Sequence, residues 1–142
     1  MAEAANYLEN AIAQKLFAGV DFTISNYYGA LATVPVGTAL EDQNNNTLYS
    51  YEITSGTHPG YNGRFEITWN ITDNVINNSN SKAWTVGVGG WSSVPSHVLV
   101  YNDPNTSNGD LLFYAPIPGL PGLIFEDDVI TLRPNRLTII ID

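Results

Sequence analysis

The sequence contains no cysteine, and this absence excludes two kinds of chemistry. Disulfide bridges cannot cross-link the fold, and thiolates cannot serve as metal ligands. The fold must therefore be held together by packing and hydrogen bonds. Without cysteines, the sequence does not indicate whether the protein's compartment is oxidising or reducing.

Basic residues are also scarce. Five Lys and Arg stand against 14 Asp and Glu, which gives a formal net charge of −9. Phosphate binding needs clustered cations, whereas the basic residues here are scattered along the chain. An anionic membrane surface would also repel so acidic a protein. We therefore expect neither a nucleic acid nor a membrane as a partner.

Long apolar runs are missing as well. No segment is long enough to span a bilayer, and the first residues, Met1 to Asn6, lack the basic region of a secretory signal peptide. We expect a soluble protein that is made in the cytoplasm, or that leaves it by a route needing no signal peptide.

Apolar and uncharged polar residues dominate the rest of the sequence. Hydrophobic residues make up 44% of the 142 residues, whereas charged residues make up only 13%. A chain of this length and composition can bury one substantial core. We predict a single domain over residues 1–142.

One amphipathic helix is predicted over residues 3–18. Leu8, Ile12 and Leu16 recur every four residues, and Gly19 follows where helices commonly end in a left-handed conformation. The apolar stripe is narrow, so one face of the helix should pack on another surface. That surface is either the domain's own core or a second subunit.

From residue 22 onward the pattern alternates as β-strands do. Short strands separated by Gly, Pro and Asn are typical of an antiparallel β-sandwich or a jelly-roll-like barrel, which we predict for residues 22–142. The polar run at 41–47 is expected to be a solvated loop. The predicted strands cover residues 26–33, 48–54, 64–71, 83–88, 98–102, 110–114, 129–132 and 137–141.

The last of these strands, Leu137–Ile141, is largely apolar on both faces. A strand of this kind is either central in a sheet or covered by another chain, because an exposed apolar edge promotes aggregation. The segment is the main local indication of an oligomer or a partner contact.

Residues that could support catalysis are few. His58 and His97 are the only histidines, and no nucleophile motif such as Gly-x-Ser-x-Gly lies near them. We expect structural roles for both, with a His97–Asp103 pair as a minor alternative. Stretches beginning at Asp42 and Asp103 have calcium-loop spacing but lack the glycine and glutamate of that loop, so Asx turns explain them better. We predict no cofactor, no metal site and no catalysis.

The three tryptophans are candidates for core packing or for partner contact. Trp69 and Trp84 fall on the apolar faces of their predicted strands, so we expect them in the core. Trp91 follows Gly89–Gly90 and is predicted to be freer, which makes it a candidate contact residue.

Several motifs occur together and in order along nearly the whole chain. They are Asn6–Ile12, Tyr27–Thr33, Glu52–Gly56, Tyr61–Arg64, His97 at a strand start, Gly109–Tyr114 and Leu137–Asp142. In this order the chain resembles a family of small tailed-bacteriophage virion proteins, described as tail-fibre-like, which includes capsid cement (decoration) proteins. The stretches 43–47, 74–81 and 116–121 differ from the family pattern, and such loops are where partner contacts vary.

The resemblance implies a virion protein, made in the host cytoplasm, that binds the outer surface of the capsid shell and clamps neighbouring capsomers. The implied partners are the major capsid protein and further copies of this chain, a trimer being the simplest closed assembly. Moderately tight contacts then add up through multivalency. The predicted contact residues are Tyr7, Leu8, Ile12, Leu16, Asn44, Asn45, Asn46, Trp91, Pro116, Pro118 and Pro121.

Two alternatives remain open at the level of sequence. A tail, tail-fibre or baseplate component would also be a structural virion protein. A carbohydrate-binding β-sandwich, with Trp91 as its stacking residue, belongs to another class. An enzyme has the least support, because no nucleophile–base pair or metal constellation is visible.

Overall fold

A computed structural model describes residues 3–117, 120 and 122–140. Within these residues the fold is mainly β, with ten strands, two α-helices and a short 3-10 helix at Leu40–Asp42. The helices are α1 (Asn6–Ala18) and α2 (Asn45–Tyr51), and the strands are β1 (Glu3–Ala4), β2 (Tyr27–Ala32), β3 (Phe65–Ile67), β4 (Trp69–Thr72), β5 (Val75–Asn78), β6 (Lys82–Thr85), β7 (His97–Tyr101), β8 (Leu111–Pro116), β9 (Val129–Leu132) and β10 (Thr138–Ile140).

The described strands form three antiparallel sheets. The largest has the order β1-β8-β7-β2-β3, a second has the order β10-β5-β4, and β6 pairs with β9. The prediction of a mainly β, antiparallel fold with an N-terminal helix is confirmed. The sheets that the described strands form do not close into one barrel.

Both faces of the five-stranded sheet are covered. Along its central strand β7, alternate residues point to opposite faces, and the two sets enter different cores. Val98 and Val100 belong to one core, together with Trp84 of β6. Leu99 and Tyr101 belong to the other. This double burial explains why β7 reads as a continuous apolar run instead of an alternating one.

Small residues in β2 allow its neighbours to pack closely. A side chain at Gly29 would place its Cβ 2.6 Å from Cζ of Phe65, on the paired strand β3. Ala30 and Ala32 are completely buried in the second core. Glycine at position 29 therefore allows Phe65 to lie close to the backbone of β2.

The first helix is shorter than predicted. Glu3 and Ala4 form β1 and pair with β8, and Ala5 remains extended before the helix begins at Asn6. The Ala5 amide donates to the Leu112 carbonyl. Residues 3–5 therefore hydrogen-bond to β8, although helix periodicity alone would assign them to α1. The predicted end is confirmed, since Gly19 is left-handed with φ of 67°.

The predicted strand at 48–54 is wrong, and the predicted loop before it is only partly right. The side chain of Asn44 accepts a hydrogen bond from the Thr47 amide and caps α2, which then buries Leu48. An Asn cap lets a polar run begin a helix, because the cap satisfies amide groups that would otherwise lack partners. Asn44 accepts from the amide three residues on, so this stretch is a helix cap and not the Asx turn predicted for it.

The C-terminal strand β10 lies at a sheet edge, with β5 as its hydrogen-bonded neighbour among the described residues. Of the two predicted alternatives, a central position in a sheet is therefore wrong for the described strands. Leu137 and Ile139 are nevertheless buried in the chain's own interior. Coverage by another chain stays a prediction, and Ile141 and Asp142 lie outside the described residues.

No described helix combines the length and the hydropathy that crossing a bilayer requires.

Candidate functional site

The predicted contact face of α1 divides into a buried start and an exposed end. Leu8 is 5% exposed and anchors the helix, so its assignment as a partner contact is wrong. Ile12 is 43% exposed, whereas Leu16 and Phe17 are 71% and 88% exposed. Tyr7 is also largely exposed. Most of the apolar stripe therefore faces away from the domain core.

Two contacts tie the exposed end of the helix to the segment that follows it. The Val20 amide donates to the carbonyl of Gln14, which reverses the chain just after Gly19. The Lys15 ammonium forms an ion pair with Asp21 on the returning segment. We call the exposed residues Ile12, Leu16, Phe17 and Val20 the apolar end of α1.

The Asn-rich stretch is exposed, as predicted, but it belongs to the start of α2. Asn44 uses its side-chain oxygen as the helix cap. Asn45 donates from its side-chain amide to Asp110 at 3.2 Å, which ties α2 to the turn before β8. Asn46 is exposed in the first turn of the helix. These asparagines therefore offer a short, fixed polar surface where a solvated loop was predicted.

The assignment of Trp91 as a free contact residue is wrong. Its side chain is 7% exposed, and its indole N–H donates to the Pro59 carbonyl at 2.9 Å. Gly90, with φ of 69°, turns the chain inward, and a Cβ there would lie 2.6 Å from the Ile124 carbonyl oxygen. A buried indole cannot provide a sugar-stacking face, so the carbohydrate-binding alternative loses its predicted contact residue.

The third predicted contact region is the proline segment after β8. Pro116 is exposed at the end of β8, opposite His97, whereas Pro118 and Pro121 lie outside the described residues. Beside this segment is a cleft of about 490 Å³. Its apolar lining includes Ile117, Leu120 and Leu132.

Two arginines also line this cleft, which we call the arginine cleft. Arg133 and Arg136 stand in the turn between β9 and β10, and both are exposed. The sequence signal was their spacing, since two of the chain's five basic residues fall within four positions. We missed this signal because we treated the basic residues as scattered.

A fully buried asparagine holds the arginine turn in place. The side-chain amide of Asn78 donates to the Arg133 carbonyl at 3.0 Å, and its oxygen accepts from the amides of Arg136 and Leu137, both at 2.9 Å. Asn78 is 0% exposed, so these bonds do not compete with solvent. The backbone that carries both arginines is therefore fixed, whereas their side chains extend into solvent.

His58 has a structural role, as predicted. Its Nε2 lies 3.0 Å from the Ser93 carbonyl oxygen and 3.1 Å from the Ser93 hydroxyl. A carbonyl can only accept, so Nε2 carries the proton, and Nδ1 accepts from the Thr57 hydroxyl at 2.8 Å. A ring that holds its proton on the serine side cannot remove one from Ser93. Burial lowers the pKa of His58, which favours this neutral form.

His97 and Asp103 do not form a pair. His97 begins β7 and its Nδ1 lies 2.9 Å from the Ser96 hydroxyl, whereas Asp103 follows the opposite end of that strand. Asp103 instead accepts from the Asn105 amide in an Asx turn, as preferred over a calcium loop. Burial lowers the pKa of His97, and the nearby Glu3 carboxylate opposes that shift.

A tyrosine joins two carboxylates at the edge of the large sheet. The Tyr114 hydroxyl lies 2.6 Å from the Glu3 carboxylate and 2.7 Å from that of Glu41. The pKa of Glu41 is lowered by a backbone hydrogen bond and by this hydroxyl, and the pKa of Tyr114 is raised, chiefly by burial. The contact ties β1 to the 3-10 helix.

Across the described ranges, no group of three or more histidine or carboxylate residues could hold a metal ion.

No protein-family model matches this chain, and no curated protein matches it in sequence.

Proposed function

We propose that this chain is a capsid cement (decoration) protein of a tailed bacteriophage. In this proposal it binds the outer surface of the shell, contacts the major capsid protein and clamps neighbouring capsomers without catalysis. The observation that carries the proposal is the apolar end of α1, since Leu16 and Phe17 are 71% and 88% exposed on a helix that is anchored through Leu8. The motifs that resemble those of the virion family are the reason for proposing a capsid as the partner.

The apolar end of α1 suits adhesion because its residues need little ordering before they bind. Full burial of a large apolar side chain contributes about 1.5–3 kcal/mol, and both Leu16 and Phe17 retain most of that surface. A helix anchored through Leu8 and reversed at Gly19 loses little conformational freedom on binding. Repetition of a modest contact over many capsid sites then gives strong attachment.

We also propose that the sheets pack as a β-sandwich, one of the two arrangements that the strand pattern predicts. Trp84 of β6 and Ile130 of β9 share a core with Val98 and Val100 of the five-stranded sheet. Side chains from two sheets that meet in one core are the defining contact of a sandwich. A stiff body of this kind would transmit force between capsomers instead of deforming.

The test is occupancy on purified particles. We expect Leu16→Gln/Phe17→Gln to reduce the number of bound copies per capsid by at least about tenfold, because both apolar contacts are lost. Asn10→Gln, an exposed position on the same helix, is the matched control and should keep wild-type occupancy. Circular dichroism would establish that each variant folds.

Two outcomes would contradict the proposal. Full occupancy of the double variant would show that the apolar end of α1 is not the contact. Electron cryomicroscopy that placed a handful of copies at the tail, instead of hundreds on the shell, would favour the tail or baseplate alternative.

A further inference from the structure

The strand β9 carries opposite charges at its two ends. Glu126, Asp127 and Asp128 precede it, and the arginine turn with Arg133 and Arg136 follows it. The strand is short, so roughly 15 Å of extended chain separates the acidic end from the basic end. Within one chain, the two ends of an extended strand cannot meet.

The arginine cleft is an unusual feature of so acidic a protein. Of the other three cations, Lys15 is paired with Asp21, and Arg64 is buried against Glu52. The third, Lys82, has its ammonium 6.0 Å from the centre of the Trp84 ring. Arg133 and Arg136 lie in exposed positions beside an apolar lining that includes Leu120 and Leu132. Such a cleft fits a ligand segment that combines apolar side chains with carboxylates.

The turn before β9 has this combination. Leu123 is 69% exposed and Phe125 is 63% exposed, and the acidic residues follow directly. The turn is held in shape, because the Phe125 amide donates to the Asp128 carboxylate at 2.8 Å and the Trp91 amide donates to the Ile124 carbonyl. We call residues 123–128 the acidic turn.

We propose that the arginine cleft of one copy binds the acidic turn of a second copy of this chain. The contact joins two different surfaces, so a two-fold dimer forms if both copies make it reciprocally, and head-to-tail association follows if they do not. Repetition of such a contact gives a closed ring if the rotation closes, and a filament if it does not. The inference concerns the isolated protein and does not rest on binding to a capsid.

Charge complementarity favours a second copy over an unrelated occupant. The chain carries −9 overall, so two copies repel each other on average and associate only where a local positive surface meets a negative one. The cleft supplies the positive surface, and the acidic turn supplies carboxylates together with exposed Phe125. Added salt should therefore weaken the contact, although the apolar part will persist.

The test uses sedimentation velocity of the full chain and two variants. The cleft variant is Arg133→Gln/Arg136→Gln, and the turn variant is Phe125→Gln/Glu126→Lys. Lys15→Glu is the matched control, because it changes the formal charge as much as the cleft variant does but lies on α1. Thermal unfolding of each variant would verify that it is folded.

We expect the wild type and Lys15→Glu to associate above the 15.5 kDa monomer mass. Each interface variant should associate at least about tenfold more weakly. An equimolar mixture of the two variants should form a 1:1 complex, since the intact turn of the cleft variant can enter the intact cleft of the turn variant. That complex cannot grow, because its remaining cleft and turn are both altered.

Three results would overturn the inference. One is a wild-type protein that stays monomeric up to millimolar concentration at low salt. Another is a folded cleft or turn variant that associates as the wild type does. The third is a mixture of the two variants that stays monomeric. A failure here would leave the capsid proposal intact, since that proposal is tested by occupancy of α1 variants on particles.

Discussion

Replacement of Arg64 by alanine should be among the most destabilising single changes in this protein. The Arg64 side chain is 0% exposed and makes four hydrogen bonds. Two of them are the bidentate pair with the Glu52 carboxylate, and two reach the carbonyls of Asp103 and Asn108. Its guanidinium also lies 3.8 Å from the centre of the Tyr101 ring.

The expected magnitude follows from what the substitution leaves behind. Glu52, whose side chain is 3% exposed, would keep a buried charge without its partner, and removal of one member of a buried ion pair costs about 3–5 kcal/mol. The loop at 103–108 would also lose the donor that joins it to the residue just before β3. We expect Arg64→Ala to lower the free energy of unfolding by about 3–5 kcal/mol, a large share of a typical domain's stability.

Urea denaturation at neutral pH, followed by tryptophan fluorescence, would measure this loss. Arg64→Lys should also be destabilising, because an ammonium cannot reproduce the planar fork that binds Glu52 and two carbonyls. Arg136→Ala is the control, since that arginine is exposed and should change stability by less than about 0.5 kcal/mol. A loss below about 1 kcal/mol in the free energy of unfolding of Arg64→Ala would refute the reasoning, because an unpaired buried carboxylate destabilises a fold by more than that.

Two further predictions concern stability. Asn78→Ala should lower the free energy of unfolding by about 2 kcal/mol or more, because one backbone carbonyl and two backbone amides of the arginine turn lose a buried partner. The midpoint of urea denaturation would measure this loss, and an unchanged midpoint would contradict the prediction. His58 has a pKa below its ordinary 6.5 because of burial, so the unfolded chain binds more protons than the folded chain just below that pH. Its contribution is fully present above about pH 6.5 and is lost as the pH falls toward the folded pKa. Folded His58→Gln should therefore show a smaller stability loss between pH 7.5 and 5.5 than the wild type, and an equal loss would count against the burial of a neutral ring.

Local patterns predicted the mainly β fold well because they depend on backbone geometry within a few residues. The alternation at Phe65 and Ile67 predicted extended chain, and Gly19 marked the end of α1. The single strand predicted over 64–71 is nevertheless two strands, because β3 pairs in the five-stranded sheet and β4 in the three-stranded sheet. The capped helix α2 was missed because Asn44 reads as a loop residue until its side chain is seen to accept from Thr47. The start of α1 was misplaced because pairing with β8, over a hundred residues away in sequence, competes with helix formation at Glu3.

The sequence by itself determined the absence of cysteine chemistry, the strong negative charge and the short-range pattern of strands and turns. Only the tertiary structure decided which apolar residues are covered, so that Trp91 is buried while Leu16 and Phe17 remain exposed. It also brought Arg133 and Arg136 beside the apolar lining of one cleft. The physical reason is that a pattern along the chain reflects local geometry, whereas burial depends on segments that arrive from distant parts of the sequence.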